Sequence, residues 1–106
     1  MEYINFDYRV ESHVARITIR REKHFNAIDL QSARELCDIV NRCGSDRTVR
    51  AVIISGAGDK AFCAGADLKE RQGMSPDEVR KQVGLYRTEL AVLDHSPKPV
   101  VAAING

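Results

Sequence analysis

Between Gly56 and Ser75 the chain places small residues where a backbone has to come close to a ligand. Ala61, Cys63, Ala64, Gly65 and Ala66 fill the centre of this stretch, and Gly56, Gly58 and Gly73 flank it. Small side chains admit close approach, and glycine adopts dihedrals that other residues avoid. Asp67-Leu68-Lys69-Glu70-Arg71 then reads as a short helix. A turn entering such a helix leaves amide N–H groups pointing outward, as donors for an anion or for an oxygen gaining charge. Other chemistries fit less well. Gly56-x-Gly58 lacks the third glycine of a dinucleotide loop, and the chain has no Gly-Lys-Ser/Thr of a P-loop. On composition alone a plain Gly/Ala surface loop and an oxyanion site both stay open.

The surrounding elements read as an alternating α/β pattern. Tyr3 to Val10 is rich in aromatic and β-branched residues and predicts a strand. His13 to Arg20 alternates, with Ile17 and Ile19 on one face and Arg16, Thr18 and Arg20 on the other. The link at Glu11-Ser12 is short enough for a hairpin. After a polar stretch from Arg21 to Asn26, Asp29 is placed to cap a helix. Ala33, Leu36, Cys37 and Val40 would form its buried stripe, and Gly44 its stop. Val49 to Gly56 is an apolar run of strand length, predicted to be covered on both faces. Ser75-Pro76-Asp77-Glu78 predicts a capping box, with Val79, Val83, Tyr86, Leu90 and Leu93 along one face of the helix it opens. Ser96-Pro97-Lys98-Pro99 ends that helix, and Val100 to Ile104 reads as a buried strand. Glu35, Glu70, Glu78 and Glu89 fall on polar faces of the predicted helices.

Bulk composition bounds the function classes. The 106 residues suffice for one small domain, and 16 Lys plus Arg balance 15 Asp plus Glu. That balance argues against RNA as a partner, although Arg34, Arg42, Arg47 and Arg50 could form a local basic face. The three cysteines show no CxxC spacing, so neither a metal site nor a disulfide framework is expected. No apolar run approaches the length of a membrane span and no signal peptide is visible, which makes cytoplasm the expected compartment.

The run Lys60-Ala61-Phe62-Cys63-Ala64-Gly65-Ala66-Asp67-Leu68-Lys69-Glu70 resembles the FxAGADL[KE]E signature of the crotonase (enoyl-CoA hydratase/isomerase) family. Three other pieces fall in that family's order. Phe25-Asn26-Ala27-Ile28 is similar to its NAL-type turn, Val49 to Gly56 to its strand before the loop, and Lys98 to Gly106 to the strand leading into the rest of its site. Phe62 to Arg71 with Met74-Ser75 most resemble the methylglutaconyl-CoA hydratase and AU-rich-RNA-binding branch.

The resemblance implies the ββα superhelix of that family, with residues 1–106 forming its N-terminal segment and ending before the second half of the site. It implies an acyl-CoA substrate, a lyase reaction that adds water to a 2-enoyl thioester, and assembly into trimers or hexamers. No separate cofactor is implied, because coenzyme A belongs to the substrate, and no metal. The backbone N–H of Ala66 would be one of two donors to the thioester oxygen. Phe25, Ala27, Ala64, Asp67, Leu68 and Lys69 would border the coenzyme A side of the pocket, Asp67 with helix capping as its alternative role. Lys69, Lys60 and Arg21 could meet phosphates or be ordinary surface charges, and His24 inherits no catalytic role. The catalytic glutamates of the family lie at positions this chain does not reach, so the segment alone is expected not to hydrate a substrate.

Overall fold

In the computed structural model, which describes residues 3–106, strands and helices alternate much as the pattern predicts. Strands β1 (Phe6–Glu11) and β2 (Val14–Ile19) form an antiparallel hairpin across Ser12 and His13. Both turn residues take positive φ, 50° and 68°, as a two-residue type I′ turn requires. β1 begins at Phe6 rather than Tyr3. The Asn5 amide leaves the ladder to donate to Glu35 Oε1 at 2.9 Å, and Ile4 is exposed. In β2 the expected alternation holds, with Ala15, Ile17 and Ile19 buried and Arg16 and Arg20 exposed.

Helix α1 (Leu30–Ser45) starts at the predicted cap, where Asp29 Oδ1 accepts from Ser32 N at 2.8 Å. Its buried stripe is Ala33, Leu36, Ile39, Val40 and Cys43, while Cys37 is only half-buried. The i, i+3, i+4, i+7 set starting at Leu36 carries more apolar volume when Ile39 and Cys43 replace Cys37, and that set faces the core. Gly44 does not stop the helix. It lies in the last turn, where an added Cβ would stand 3.4 Å from the Pro97 ring. The C-terminal carbonyls are met instead by Lys98, whose Nζ donates to Cys43 O at 2.6 Å.

Strand β3 (Ala51–Gly56) runs parallel to β2, and β4 (Val100–Ala102) parallel to β3, giving the order β1-β2-β3-β4. The parallel pairs are joined through α1 and through α2 (Pro76–His95), as a parallel connection needs. Val52 and Ile54 of β3 are buried, but Ala51, Ile53 and Ser55 on its other face are only half-covered. The prediction of two covered faces therefore holds for one face. β4 is shorter and more open than expected, with Val101, Ala102 and Ile104 exposed. It is the edge strand, and among the described residues it pairs only with β3.

The capping box at the start of α2 is complete. Ser75 accepts from the Glu78 amide, and the Glu78 side chain accepts from the Ser75 amide. Of its predicted face Tyr86 is buried and Leu90 and Leu93 pack half-buried against the core, but Val83 is 37% exposed and Gln82 is inside. Gln82 is drawn in by two polar partners, donating to Glu70 Oε1 at 3.2 Å and accepting from Arg71 Nε at 3.1 Å. Among the described residues no helix is long and apolar enough to cross a membrane.

Candidate active site

Two segments far apart in sequence meet at the end of the sheet. The first leaves β2 through a short 3-10 helix (Glu22–His24) and closes in a turn whose Asn26 amide donates to Arg21 O at 2.8 Å and whose Phe25 amide donates to Glu22 O at 3.1 Å. This pattern requires a left-handed residue after the helix, usually glycine. Here Phe25 (φ 53°) and Asn26 (φ 57°) both take that conformation. Phe25 is 57% exposed. A large side chain held left-handed and open to solvent is a conformation that costs about 1–2 kcal/mol, the kind of strain found where a surface has to meet a ligand.

Asn26 fastens this turn to the second segment. It is fully buried, accepting from Arg21 N at 2.9 Å and donating to Ala57 O at 3.0 Å and Ala61 O at 2.8 Å. Gly56 makes the crossing possible, because a Cβ there would sit 2.8 Å from both Ala61 O and Asn26 Nδ2 and would meet Phe62 O as well. Asn105, just past β4, seals the same corner. Its Oδ1 accepts from Gly56 N at 3.0 Å, and its Nδ2 donates to Gly56 O at 2.9 Å and Gly58 O at 3.0 Å.

Beyond this corner the two segments pair through one parallel bridge, Ile28 with Ala66. Ile28 N donates to Gly65 O and Asp67 N donates to Ile28 O, each at 2.8 Å. In such a bridge the groups of the residues on either side of Ala66 point at Ile28, so the Ala66 N–H points the other way. Among the described residues it has no acceptor. Around it Ala64, Gly65, Leu68 and Lys69 are exposed, Leu68 to 69%. Gly65, with φ 101°, has open space where a side chain would be.

The other residues singled out from the sequence divide into open and occupied groups. Phe25 lines a cavity of about 300 Å³ between its own turn and the Ala57–Ala61 segment, together with Lys23 and Lys60; Ala66 is not part of that lining. Ala27 is buried, its amide donating to His24 O and its carbonyl accepting from Arg21. Asp67 caps the second 3-10 helix (Leu68–Arg71), accepting from Lys69 N at 3.0 Å, and pairs with Arg21 at 3.1 Å. Arg21 is therefore no surface cation. His24 is exposed.

Two glutamates expected on polar faces turn inward instead, Glu35 buried and Glu70 half-buried. Glu35 is buried and receives the Asn5 amide. Glu70 accepts from Leu30 N at 3.1 Å, from Gln82, and meets the Tyr86 hydroxyl, which also lies 2.9 Å from Ile28 O. Burial, then the neighbouring Glu70 carboxylate, push the Tyr86 hydroxyl pKa well up. Both glutamates thus act as acceptors for amides that secondary structure leaves over, which helical periodicity does not reveal. Asn26 and Asn105 enter the sequence reading only as letters of family-like segments, and helical spacing marks Tyr86 as core but not its hydroxyl contacts.

Burial raises the Asp67 carboxyl pKa, but the Lys69 amide and Arg21 outweigh that and hold it below the ordinary value. The sign follows: with the folded value depressed, the Asp67 contribution to stability is complete above the unfolded pKa of ~3.9 and is lost as pH falls through the lower folded value. Asp67→Asn is expected to lower stability at neutral pH and to flatten the acid limb of stability below about pH 4. Denaturant unfolding at several pH values checks it, and an acid limb as steep as in the unmutated protein contradicts it.

The small-residue bridge thus leaves the Ala66 amide unused among the described residues, with Ala64, Gly65, Leu68 and Lys69 open around it. The sequence matches the enoyl-CoA hydratase/isomerase family over residues 9–106. It is 45% identical over 94 residues to the enoyl-CoA hydratase/isomerase-type protein YngF of Bacillus subtilis, covering 89% of this chain and 36% of that one. It is 39% identical over 106 residues to the short-chain-enoyl-CoA hydratase of Clostridium acetobutylicum, covering 100% of this chain and 41% of that one. The crystal structure of an enoyl-CoA hydratase from Bacillus anthracis superposes with a TM-score of 0.90 at 43% identity, over 96% of this chain and 40% of the other. The chain belongs to the enoyl-CoA hydratase/isomerase family, and its α/β architecture is that of crotonase-fold enoyl-CoA hydratases. It spans about two fifths of the length of these relatives.

Proposed function

We propose that this chain carries one half of the oxyanion hole of an enoyl-CoA hydratase-type lyase, with the Ala66 N–H as the donor. Addition of water to C3 of a 2-enoyl thioester moves charge onto the thioester oxygen. A donor fixed before the reaction stabilises that charge more than it stabilises the substrate. The observation that carries the proposal is the Ala66 amide itself, locked by the Ile28 bridge, unpaired among the described residues, and ringed by small or exposed residues.

Phe25, Ala64, Leu68 and Lys69 are the side chains open to meet the coenzyme A portion, which arrives as part of the substrate. Ala27 and Asp67 serve the same pocket through the backbone they hold. The groups that move the proton are assigned to chain outside this segment, because the carboxylates Glu35 and Glu70 are already engaged. Isomerisation of an enoyl-CoA would use the same donor, and the family's description includes it. Assembly into trimers or hexamers, and work in the cytoplasm, belong to the same proposal.

The test is hydration of crotonyl-CoA, followed by loss of the enoyl-thioester absorbance and by 18O uptake from water at C3. The isolated 106-residue chain should give none. The protein carrying the remaining catalytic groups should give turnover. Turnover by the isolated chain, or none by the complete protein on any enoyl-CoA, defeats the proposal.

A further inference from the structure

We propose that Arg21 is a positioning residue that sets the direction of the Ala66 N–H; this rests on the role given to Ala66 above. The guanidinium is 9% exposed and reaches both sides of the bridge that holds Ala66. Its Nη1 donates to Ala27 O at 2.5 Å, one residue before Ile28. Its Nη2 donates to Asp67 Oδ2 at 3.1 Å, one residue after Ala66. The same nitrogen lies 3.3 Å from Asp29 Oδ2.

The clamp ties together three starts. Asp29 caps α1 and Asp67 caps the Leu68–Arg71 helix, so one cation fixes the origins of both. The Arg21 backbone closes the Phe25 turn as well, its amide held by Asn26 and its carbonyl accepting from His24 and Asn26. A planar guanidinium supplies donors at fixed angles, which a lysine cannot. Buried charge of this kind is weak evidence for stability, since apolar replacement is often neutral. What it supplies here is angle. An oxyanion donor has to be held within about 0.5 Å and 10–20° of its productive geometry, and among the described residues the peptide between Gly65 and Ala66 is otherwise held by the Ile28 bridge alone.

The experiment compares the complete protein with Arg21→Met, Arg21→Lys and Asp67→Asn. Asp67→Asn keeps a cap oxygen for Lys69 while weakening the ion pair, so it serves if Arg21→Met does not fold. The probe is a cinnamoyl-CoA thioester, whose absorption moves to the red when its carbonyl oxygen is polarised. Expected are a smaller red shift per bound ligand, kcat lower by about tenfold or more, and KM within about threefold, with Arg21→Lys between Met and the unmutated protein. A full red shift and unchanged kcat in folded Arg21→Met or Asp67→Asn overturn the positioning role alone. An unmutated protein that binds the probe without a red shift overturns the Ala66 assignment and the positioning role with it.

Discussion

Removing the Ala66 N–H is expected to lower kcat for enoyl-CoA hydration by about 10²–10³-fold in the protein that carries the remaining catalytic groups. Ala66→Pro deletes the donor but also restrains Gly65, whose φ of 101° is already unusual. Lactate in place of alanine, introduced by semisynthesis, replaces the N–H by an ester oxygen and leaves the side chain unchanged. Among the described residues the Ala66 amide serves no acceptor, so the ester should still fold, at the cost only of a weaker Gly65 carbonyl as acceptor for the Ile28 amide. The lost donor should act in the transition state, lowering kcat and kcat/KM alike. A folded ester variant with the kinetics of the unmutated protein contradicts the assignment.

The largest expected effect on stability is at Asn26. Asn26→Ala leaves Ala57 O, Ala61 O and Arg21 N without partners at a buried corner and places alanine at φ 57°. The expected cost is about 2–4 kcal/mol. Asn26→Gly separates the two causes, since glycine accepts the left-handed dihedral but restores no hydrogen bond. If both variants lose similar stability in denaturant unfolding, the hydrogen bonds dominate. If glycine recovers most of it, backbone conformation dominates. Stability unchanged in both would show that the corner does not hold the two segments together.

The parts of the fold legible in the sequence are those decided within a few residues. The Asp29 cap, the Ser75–Glu78 box and the alternation of β2 depend on local geometry, and each is found where expected. The misplacements come from distant partners. Gln82 takes the inner face that apolar spacing assigns to Val83 because Glu70 and Arg71 stand opposite it. Glu35 and Glu70 turn inward because they receive amides from other elements. The site divides in the same way. The small residues from Ala61 to Ala66 announce a permissive loop, and resemblance singles out Ala66. The clamp around it spans 46 positions from Arg21 to Asp67 and has no local signal. Arg21, a plausible phosphate contact by charge alone, is committed to that clamp.

The most direct measurement is a crystal structure of the complete protein with butyryl-CoA, a saturated thioester that cannot be hydrated. The thioester oxygen should lie about 2.7–3.1 Å from the Ala66 nitrogen, with the coenzyme A portion passing Phe25 and Leu68. A thioester oxygen held by other donors, with the Ala66 amide still unpaired, would contradict the account at its centre.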